Sequence, residues 1–345
     1  MASYEKFVQI GLALDPIHVG TGGARIGRVD LTIVRDPVTQ VPKIPGSSLA
    51  GVYRTYVAMH YEEDRLQQIQ QVSQSGQQFQ GRSKPFYPDC AGLGLDTNHG
   101  HCRQPDCPVC TVFGFARGAG QEDGFAGLAA FTDAHVLLVP VPTRQGPMWV
   151  TSPIVLAMIG LTVNGVNDNA AYVETAGNPL NLGWLLLETR QCNQMNDVKQ
   201  HLGSLGIPDY IRNRLALVPD RLFAHIVNSN LEVRTSVSID PATGAAEERK
   251  LFSYEALPRG TVLVWEIIAK NPAHFRIGVQ QVTAVSTPEE VHNVAKHAHP
   301  YLEHLGIGGM GTRGMGRVKV VYENQPVSPR TANCTSSVNQ GGGQP

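Results

Sequence analysis

Four of the six cysteines of this chain are clustered, and their spacing suits a metal ion. The pattern is Cys90-x11-Cys102-x4-Cys107-x2-Cys110. The Cys-Pro-Val-Cys turn brings two thiolates together, and a second pair reached across a loop closes a tetrahedral Zn²⁺ site. His99 and His101 lie in that loop, where either could replace Cys90 or Cys102, and four free thiols are the alternative to a metal. Four good ligands leave no open coordination position, so the sequence predicts a structural zinc site and not a catalytic one.

A single acidic residue, Asp30, stands between a glycine-rich turn and an apolar run. A residue of this kind is usually a turn or capping residue, and the residues alone favour that interpretation. The functional alternative is a carboxylate that holds a hydrated Mg²⁺ near a scissile phosphate, or that takes a proton from a ribose 2′-hydroxyl. Asp36, which precedes Pro37, is interpreted as a turn former, and His18 as structural more often than catalytic.

Two stretches offer groups that could hold an extended anion. In the first, Lys43, Ser47 and Ser48 stand at a predicted helix start, with Arg54 about two turns along; an ordinary capped helix is equally consistent. The second is Gly306–Gly316, GIGGMGTRGMG, which contains Arg313 and is followed by two further basic residues. It resembles a phosphate-cradling loop but lacks the Gly-Lys-Ser/Thr of a P-loop.

Composition limits the classes of function. The net charge of −1 and pI of about 6.9 argue against a free-standing nucleic-acid binder, so basic residues must be concentrated locally or supplied by partner chains. No apolar run approaches the ~20 residues of a membrane span, and the N-terminus lacks a secretory layout. We therefore predict a cytoplasmic protein with no membrane partner, in which the isolated Cys192 and Cys334 form no disulfide.

The hydrophobic pattern predicts an α+β fold, with an open antiparallel sheet and helices on one face. The main predicted elements are a strand at Phe7–Asp15, a helix at Leu49–Gln68 capped by Ser47 or Ser48, a strand at Glu232–Ile239 returning at Leu251–Tyr254, a strand at Thr261–Ala269, a helix at Pro288–His304 and a strand at Val318–Tyr322. One domain is predicted over 1–323. It contains a mobile glutamine-rich loop and the zinc knuckle within 69–127, an irregular or helical insertion at 157–220, and a hairpin at 232–255. A disordered tail is predicted at 324–345.

Several blocks, taken together, resemble the RAMP superfamily of CRISPR–Cas proteins, and in particular the repeated backbone subunit of type III interference complexes. The blocks are His18–Gly23 with Ile26–Asp30, Arg35-Asp-Pro37, Ile44–Gly51, Cys107–Gly114 with Phe131–Ala134, Trp149–Pro153, Glu232–Asp240 with Thr243-Gly244 and Leu251-Phe252, and Gly306–Gly316. Where the family often has a basic Ser/Arg strand after the knuckle, this chain has Gly127–Phe131.

The resemblance implies an RRM-like (ferredoxin-like) palm, a thumb formed by the hairpin, and a zinc-bearing insertion. The implied partners are a CRISPR guide RNA, complementary target RNA and other type III subunits. Asp30 matches the family's target-cleaving aspartate, and cleavage would depend on Mg²⁺ or another divalent ion, with the 2′-hydroxyl attacking the neighbouring phosphate. The predicted RNA-binding residues are His18, Lys43, Ser47, Ser48, Arg54, Arg234, Gly308, Gly309, Gly311, Arg313, Gly314 and Arg317. A non-catalytic scaffold subunit and, less favoured, a guide-processing endonuclease are the alternatives.

Overall fold

The fold is described from a computed structural model, which covers residues 2–22, 29–75, 78–92, 100–116 and 124–334. The strands are β1 Tyr4–Ala13, β2 Lys43–Ile44, β3 Ala129–Phe131, β4 Ala134–Thr143, β5 Gly146–Thr151, β6 Leu161–Asn164, β7 Ala170–Val173, β8 Leu180–Leu182, β9 Leu185–Gln191, β10 Leu215–Leu217, β11 Glu232–Ile239, β12 Ala246–Ala256, β13 Val262–Lys270, β14 Arg276–Ile277, β15 Gln280–Gln281, β16 Val318–Asn324 and β17 Arg330–Asn333. The helices are α1 Gly46–Gln74, α2 Pro108–Phe113, α3 Pro153–Ala157, α4 Met195–Ser204, α5 Asp209–Arg212, α6 Asp220–Ser229, α7 Pro288–Lys296 and α8 His299–His304. Short 3₁₀ turns lie at Asp89–Ala91, Pro272–His274 and Gly311–Arg313.

Eleven of the described strands form one mixed sheet. Its main path is β16-β1-β13-β4-β5-β10-β7-β9-β8, with β2 beside β4 and β3 beside β13. The first five strands of this path pair antiparallel, whereas β10 is parallel to β5 and β7 is parallel to β9. The predicted antiparallel sheet is therefore right for the half that contains β1 and β13. In the other half it is wrong for the β5–β10 and β7–β9 pairings, which are parallel, whereas β10–β7 and β8–β9 are antiparallel. Helix α7 packs on β1 and β13, α8 packs on β16, and α1 packs against α7 and β3.

Helix α1 starts earlier than predicted because another part of the chain caps it. The Gly46 amide donates to the Asp133 carboxylate at 2.7 Å, and neither Ser47 nor Ser48 makes a side-chain cap bond. A Cβ atom on Gly46 would lie 2.4 Å from the carbonyl oxygen of Phe131, so glycine is what allows the helix to begin against β3. The predicted serine cap is wrong, because the first-turn donors of a helix can be satisfied from a distant segment.

The same helix also continues further than predicted. The glutamine-rich segment stays helical to Gln74, so the predicted mobile loop is wrong up to that residue. Glutamine is a good helix former, and on the exposed end of a long helix its propensity decides the conformation. No helix in the described ranges is both long and apolar enough to cross a membrane.

The first part of the insertion predicted to be irregular or helical, 157–220, contains three short strands of the structure, β6, β7 and β8. Buried and exposed residues alternate in β6, and all four residues of β7 are buried. Strands of three or four residues separated by Asn and Gly turns show too few periods to be recognised from sequence.

The C-terminal segment is ordered further than predicted. β17 pairs in parallel with β6, and the Cys334 that follows it is disulfide-bonded to Cys192; both sulfurs belong to buried residues. The expectations of disorder from residue 324 and of two unpaired thiols are therefore wrong for this segment. Residues 335–345 lie outside the described part of the chain.

We expect reduction of this disulfide to destabilise the fold. The bond joins cysteines 142 residues apart, and closing a loop of that size restricts the unfolded chain enough to contribute roughly 2–5 kcal/mol. A Cys192→Ser/Cys334→Ser variant should therefore unfold at lower denaturant concentration than the oxidised native chain, and adding a reductant should leave its midpoint unchanged. Equal midpoints for the variant and the oxidised native chain would contradict this.

Candidate functional site

Asp30 lies at the base of the hairpin formed by β11 and β12, where its carboxylate is tied to β12. Oδ2 accepts hydrogen bonds from the Ser253 amide at 2.7 Å and from the Ser253 hydroxyl at 2.9 Å. These two bonds hold the pKa of the exposed Asp30 carboxyl below its usual value. Within the described residues the hydrogen bonds from β12 reach Oδ2, and the Asp30 side chain is exposed.

The hairpin presents an apolar stripe on the face that carries Ser253. Alternate residues of a strand share a face, and the register pairs Val237 with Leu251 and Thr235 with Ser253. Val237 and Leu251 are 41% and 66% exposed, with no apolar cover from the described chain. Asp30 is thus bonded to a strand whose same face offers aliphatic surface to a partner.

His18 is buried beside this hairpin base. Its Nδ1 lies 2.7 Å from the carbonyl oxygen of Glu255. A carbonyl oxygen can only accept, so Nδ1 carries the proton, and in the neutral imidazole Nε2 is an acceptor. The carbonyl oxygen of His18 itself accepts from the amide of Gly309, which connects this residue to the glycine loop.

A bidentate ion pair fixes the segment after Asp30 against β12. Arg35 donates to both carboxylate oxygens of Glu255, at 2.6 and 2.9 Å, and the Ile33 amide donates to Oε1 at 2.9 Å. Glu255 is only 7% exposed, so this pairing is what makes its burial tolerable. The pair positions the segment that follows Asp30 and was not predicted.

The glycine loop Gly306–Gly316 packs against the same region. Gly308 has φ +91°, and a Cβ atom there would lie 2.4 Å from the His18 carbonyl oxygen, so the loop can approach only as glycine. Amides of Gly309, Arg313, Gly314 and Gly316 donate to protein carbonyls, and fewer are therefore free for a phosphate than the sequence suggested. The exposed Arg313 lies over the Phe252 ring at 5.6 Å. We call Asp30, His18, Ser253, Glu255 and this loop the hairpin-base site.

The other predicted RNA-binding cations already have partners within the chain. The Lys43 ammonium lies 2.6 Å from Asp133 and 3.6 Å from Asp36, and its pKa is raised chiefly by the hydrogen bond to Asp133. Arg317 pairs with Asp15, and Arg234 pairs with Glu232. RNA contacts by Lys43, Arg234 and Arg317, and by the first-turn residues Ser47 and Ser48, remain predictions.

Arg54 is turned into the protein, which argues against its predicted RNA contact. Its guanidinium donates to the carbonyl oxygens of Phe113 and Gly114 and lies 3.3 Å from Nε2 of His101. The helical spacing in the sequence indicates this inward orientation. Arg54 precedes the buried Val57 and Ala58 by three and four residues, and so shares their helix face.

The four clustered cysteines converge as predicted. Their sulfur atoms all lie within 4.8 Å of one another. Cys107 is the N-cap of α2, and its Sγ accepts from the Cys110 amide at 3.5 Å; Cys90 lies on the 3₁₀ turn at Asp89–Ala91. Sγ of Cys102 and Sγ of Cys110 are 3.6 Å apart, close to the edge of about 3.8 Å in a tetrahedron with metal–sulfur bonds of about 2.3 Å.

The chemistry of these sulfurs also fits a cation. Hydrogen bonds from Cys107 and then Cys110 lower the pKa of Cys102, whereas contact with Cys102 raises the pKa of Cys107 and of Cys110. Four thiolates in one buried cluster repel each other, and a divalent ion is the group that allows all four to ionise. His101 is outside this four-sulfur group, with Nε2 occupied by Arg54, and His99 lies outside the described residues.

Comparisons with known sequences identify relatives along nearly the whole chain. The sequence model of the RAMP superfamily matches residues 12–319. The chain is 26% identical over 342 residues to the CRISPR system Cmr endoribonuclease Cmr4 of Pyrococcus furiosus, covering 92% of this chain and 96% of that protein. It is 45% identical over 61 residues to the CRISPR system Cms endoribonuclease Csm3 of Enterococcus italicus, covering 16% of this chain and 28% of that protein.

Solved structures share the fold. A chain of the cryo-EM structure of the type III-B Cmr-beta bound to cognate target RNA matches with a TM-score of 0.60 and 16% identity, over 93% of this chain and 98% of that one. A crystal structure of Cmr4 matches with a TM-score of 0.53 and 19% identity, over 94% of this chain and 100% of that one. The large mixed sheet is therefore shared with these proteins.

Proposed function

The chain belongs to the RAMP superfamily, and we propose that it is a guide-RNA-binding backbone subunit of a type III CRISPR effector complex that cleaves complementary target RNA at Asp30. The relative that aligns along 96% of its length is named a CRISPR system endoribonuclease. The partners of the present chain would be the guide RNA, the target RNA and other type III subunits. On this proposal the antiparallel half of the sheet is the ferredoxin-like palm, the β11–β12 hairpin is the thumb, and the cysteine cluster belongs to a zinc-bearing insertion.

The observation that carries the proposal is the tethered, exposed carboxylate of Asp30. Ser253 holds Oδ2 through two hydrogen bonds, which fixes the direction of a carboxylate that stays exposed. Val237 and Leu251 on that stripe suit a wedge that displaces a base pair and splays the neighbouring nucleotide.

The lowered pKa of Asp30 favours one of its two candidate roles. A general base works best with a pKa near the operating pH, whereas this carboxyl is ionised throughout the range from pH 5 to 8. An ionised carboxylate suits a hard divalent cation such as Mg²⁺, which takes one or two protein carboxylates plus substrate phosphates. Such an ion, when bound, would neutralise charge developing at the scissile phosphate.

The chain's own residues would orient the RNA around this carboxylate. Nε2 of His18 would accept a hydrogen bond from the RNA, and Arg313 and the exposed glycines Gly308, Gly309, Gly311 and Gly314 would contact its backbone. Sequence reading would be left to guide–target pairing. The near-neutral net charge of this chain suits a subunit that shares RNA binding with neighbouring subunits.

The assembled complex provides the test. We expect the complex, loaded with guide RNA, to cut complementary target RNA with Mg²⁺ and to stop cutting with a chelator. The isolated chain should bind extended single-stranded RNA in preference to a repeat hairpin. Tight, specific hairpin binding and cutting by the isolated chain would instead identify a guide-processing endonuclease.

A further inference from the structure

Two arginines from different elements approach the cysteine cluster, and neither is explained by RNA binding. Arg54 comes from α1 and reaches the carbonyl oxygens of Phe113 and Gly114, at the end of the helix that carries Cys110. Arg82 comes from the segment before Cys90, and its Nη2 donates to Cys90 Sγ at 3.3 Å. Arg82 is itself held by the Lys84 carbonyl oxygen at 2.6 Å and lies over the Phe86 ring at 4.2 Å.

The charges of these groups are complementary. A divalent ion with four thiolates carries a net charge of −2, and two guanidinium groups carry +2. Arg54 is half-buried and has no carboxylate partner within the described residues, although burying a guanidinium without a counter-charge is costly. Four neutral thiols or two disulfides would leave this cation uncompensated, whereas a tetrathiolate metal centre compensates it.

We propose that Arg54 and Arg82 are the charge complement of a tetrathiolate divalent-metal centre, and that Arg54 couples metal occupancy to helix α1. The pair selects four thiolates over a centre with three cysteines and His101, because Arg54 uses the Nε2 lone pair of that histidine. Both arginines are positioning residues: they act on the metal through the sulfurs and the backbone that carries them. Outer partners of this kind commonly change metal affinity by about 10–100-fold.

The proposal is tested by metal retention in purified chain. We expect Arg54→Met and Arg82→Met each to speed the release of bound Zn²⁺ to a chromogenic chelator by about 10–100-fold. The matched control is Arg212→Met, because Arg212 also donates to two backbone carbonyls, of Ile207 at 2.8 Å and Lys199 at 3.2 Å, and α5 carries no cysteine. The control should release zinc at the native rate. If Arg54→Met does not fold, Arg82→Met carries the test, since its side chain is on a different segment.

Two further measurements test the ligand set and the role of charge. The Co²⁺-substituted native chain should show the intense thiolate-to-cobalt charge transfer of four sulfur ligands. Arg54→Lys keeps the charge but cannot donate to both carbonyl oxygens as the guanidinium does, and it should retain zinc better than Arg54→Met. Native release rates in both methionine variants would overturn the arginine pairing while leaving the metal centre intact. A native chain without stoichiometric metal, or with a three-sulfur cobalt spectrum, would overturn the tetrathiolate centre itself. Neither result bears on RNA cleavage at Asp30.

Discussion

Replacing Asp30 with alanine should abolish target cutting at this subunit's position while target binding persists. Removing a group that acts directly at a scissile phosphate typically costs roughly 10²–10⁴-fold in rate. Because the side chain is exposed and on the surface of the hairpin base, the fold should tolerate the change. The measurement is the single-turnover rate of target cleavage by the assembled complex with Mg²⁺, alongside the affinity of the complex for uncut target.

Asp30→Asn sharpens this experiment, because it keeps an oxygen that can accept both Ser253 hydrogen bonds while removing the charge. A catalytic carboxylate predicts that Asn is as inactive as Ala. A purely structural tether, as in the scaffold alternative, predicts that Asn cuts like the native chain. Asp168→Ala is a suitable control, since Asp168 is an exposed carboxylate whose partner Arg190 is also on the surface; it should leave cleavage unchanged.

The sequence predicts the parts of the candidate site whose residues lie close together in the chain. The Cys107–Cys110 turn is visible in the sequence, because a Cys-x-x-Cys pair is a short-range pattern. The residues around Asp30 alone favoured a turn residue, and its proposed catalytic role comes from the family resemblance. Ser253 and Glu255 were missed, since their importance comes from the pairing of β12 with the segment after Asp30, more than two hundred residues away in the chain. Alternation in β12 does place the two on one face, but only the fold shows what that face meets.

The errors in the predicted fold also come from contacts between segments that are distant in the chain. The start of α1 is set by Asp133, and the ordered tail by β6 and Cys192, each supplied from a distant segment. Long, strongly patterned elements such as β1, β11 and β13 were found because their own residues determine them. The predicted RNA contact of Arg54 rested on its charge, whereas its position on the face of α1 that carries Val57 and Ala58 turns it toward the protein.

Replacing Cys107 or Cys110 with serine should remove the metal and unfold the surrounding segment. The four sulfur atoms lie within 4.8 Å of one another, close enough to share one metal ion. Structural Zn²⁺ in small domains contributes on the order of 10 kcal/mol to folding. Each variant should therefore fall from one metal per chain to none by elemental analysis, with a lower thermal midpoint and faster proteolysis between α1 and α2.

The control for this experiment is the Cys192→Ser/Cys334→Ser variant, which removes the remaining two cysteines and should keep its metal. Acidification of the native chain should also release the ion, because thiolates must be protonated as the metal leaves. If the cysteine variants instead kept both metal and native stability, the four sulfurs would be packing groups. The distinction matters for the fold around α1: a tetrathiolate metal centre compensates the charge of Arg54 where α1 meets the insertion, whereas four packed thiols would leave that guanidinium with backbone and imidazole partners only.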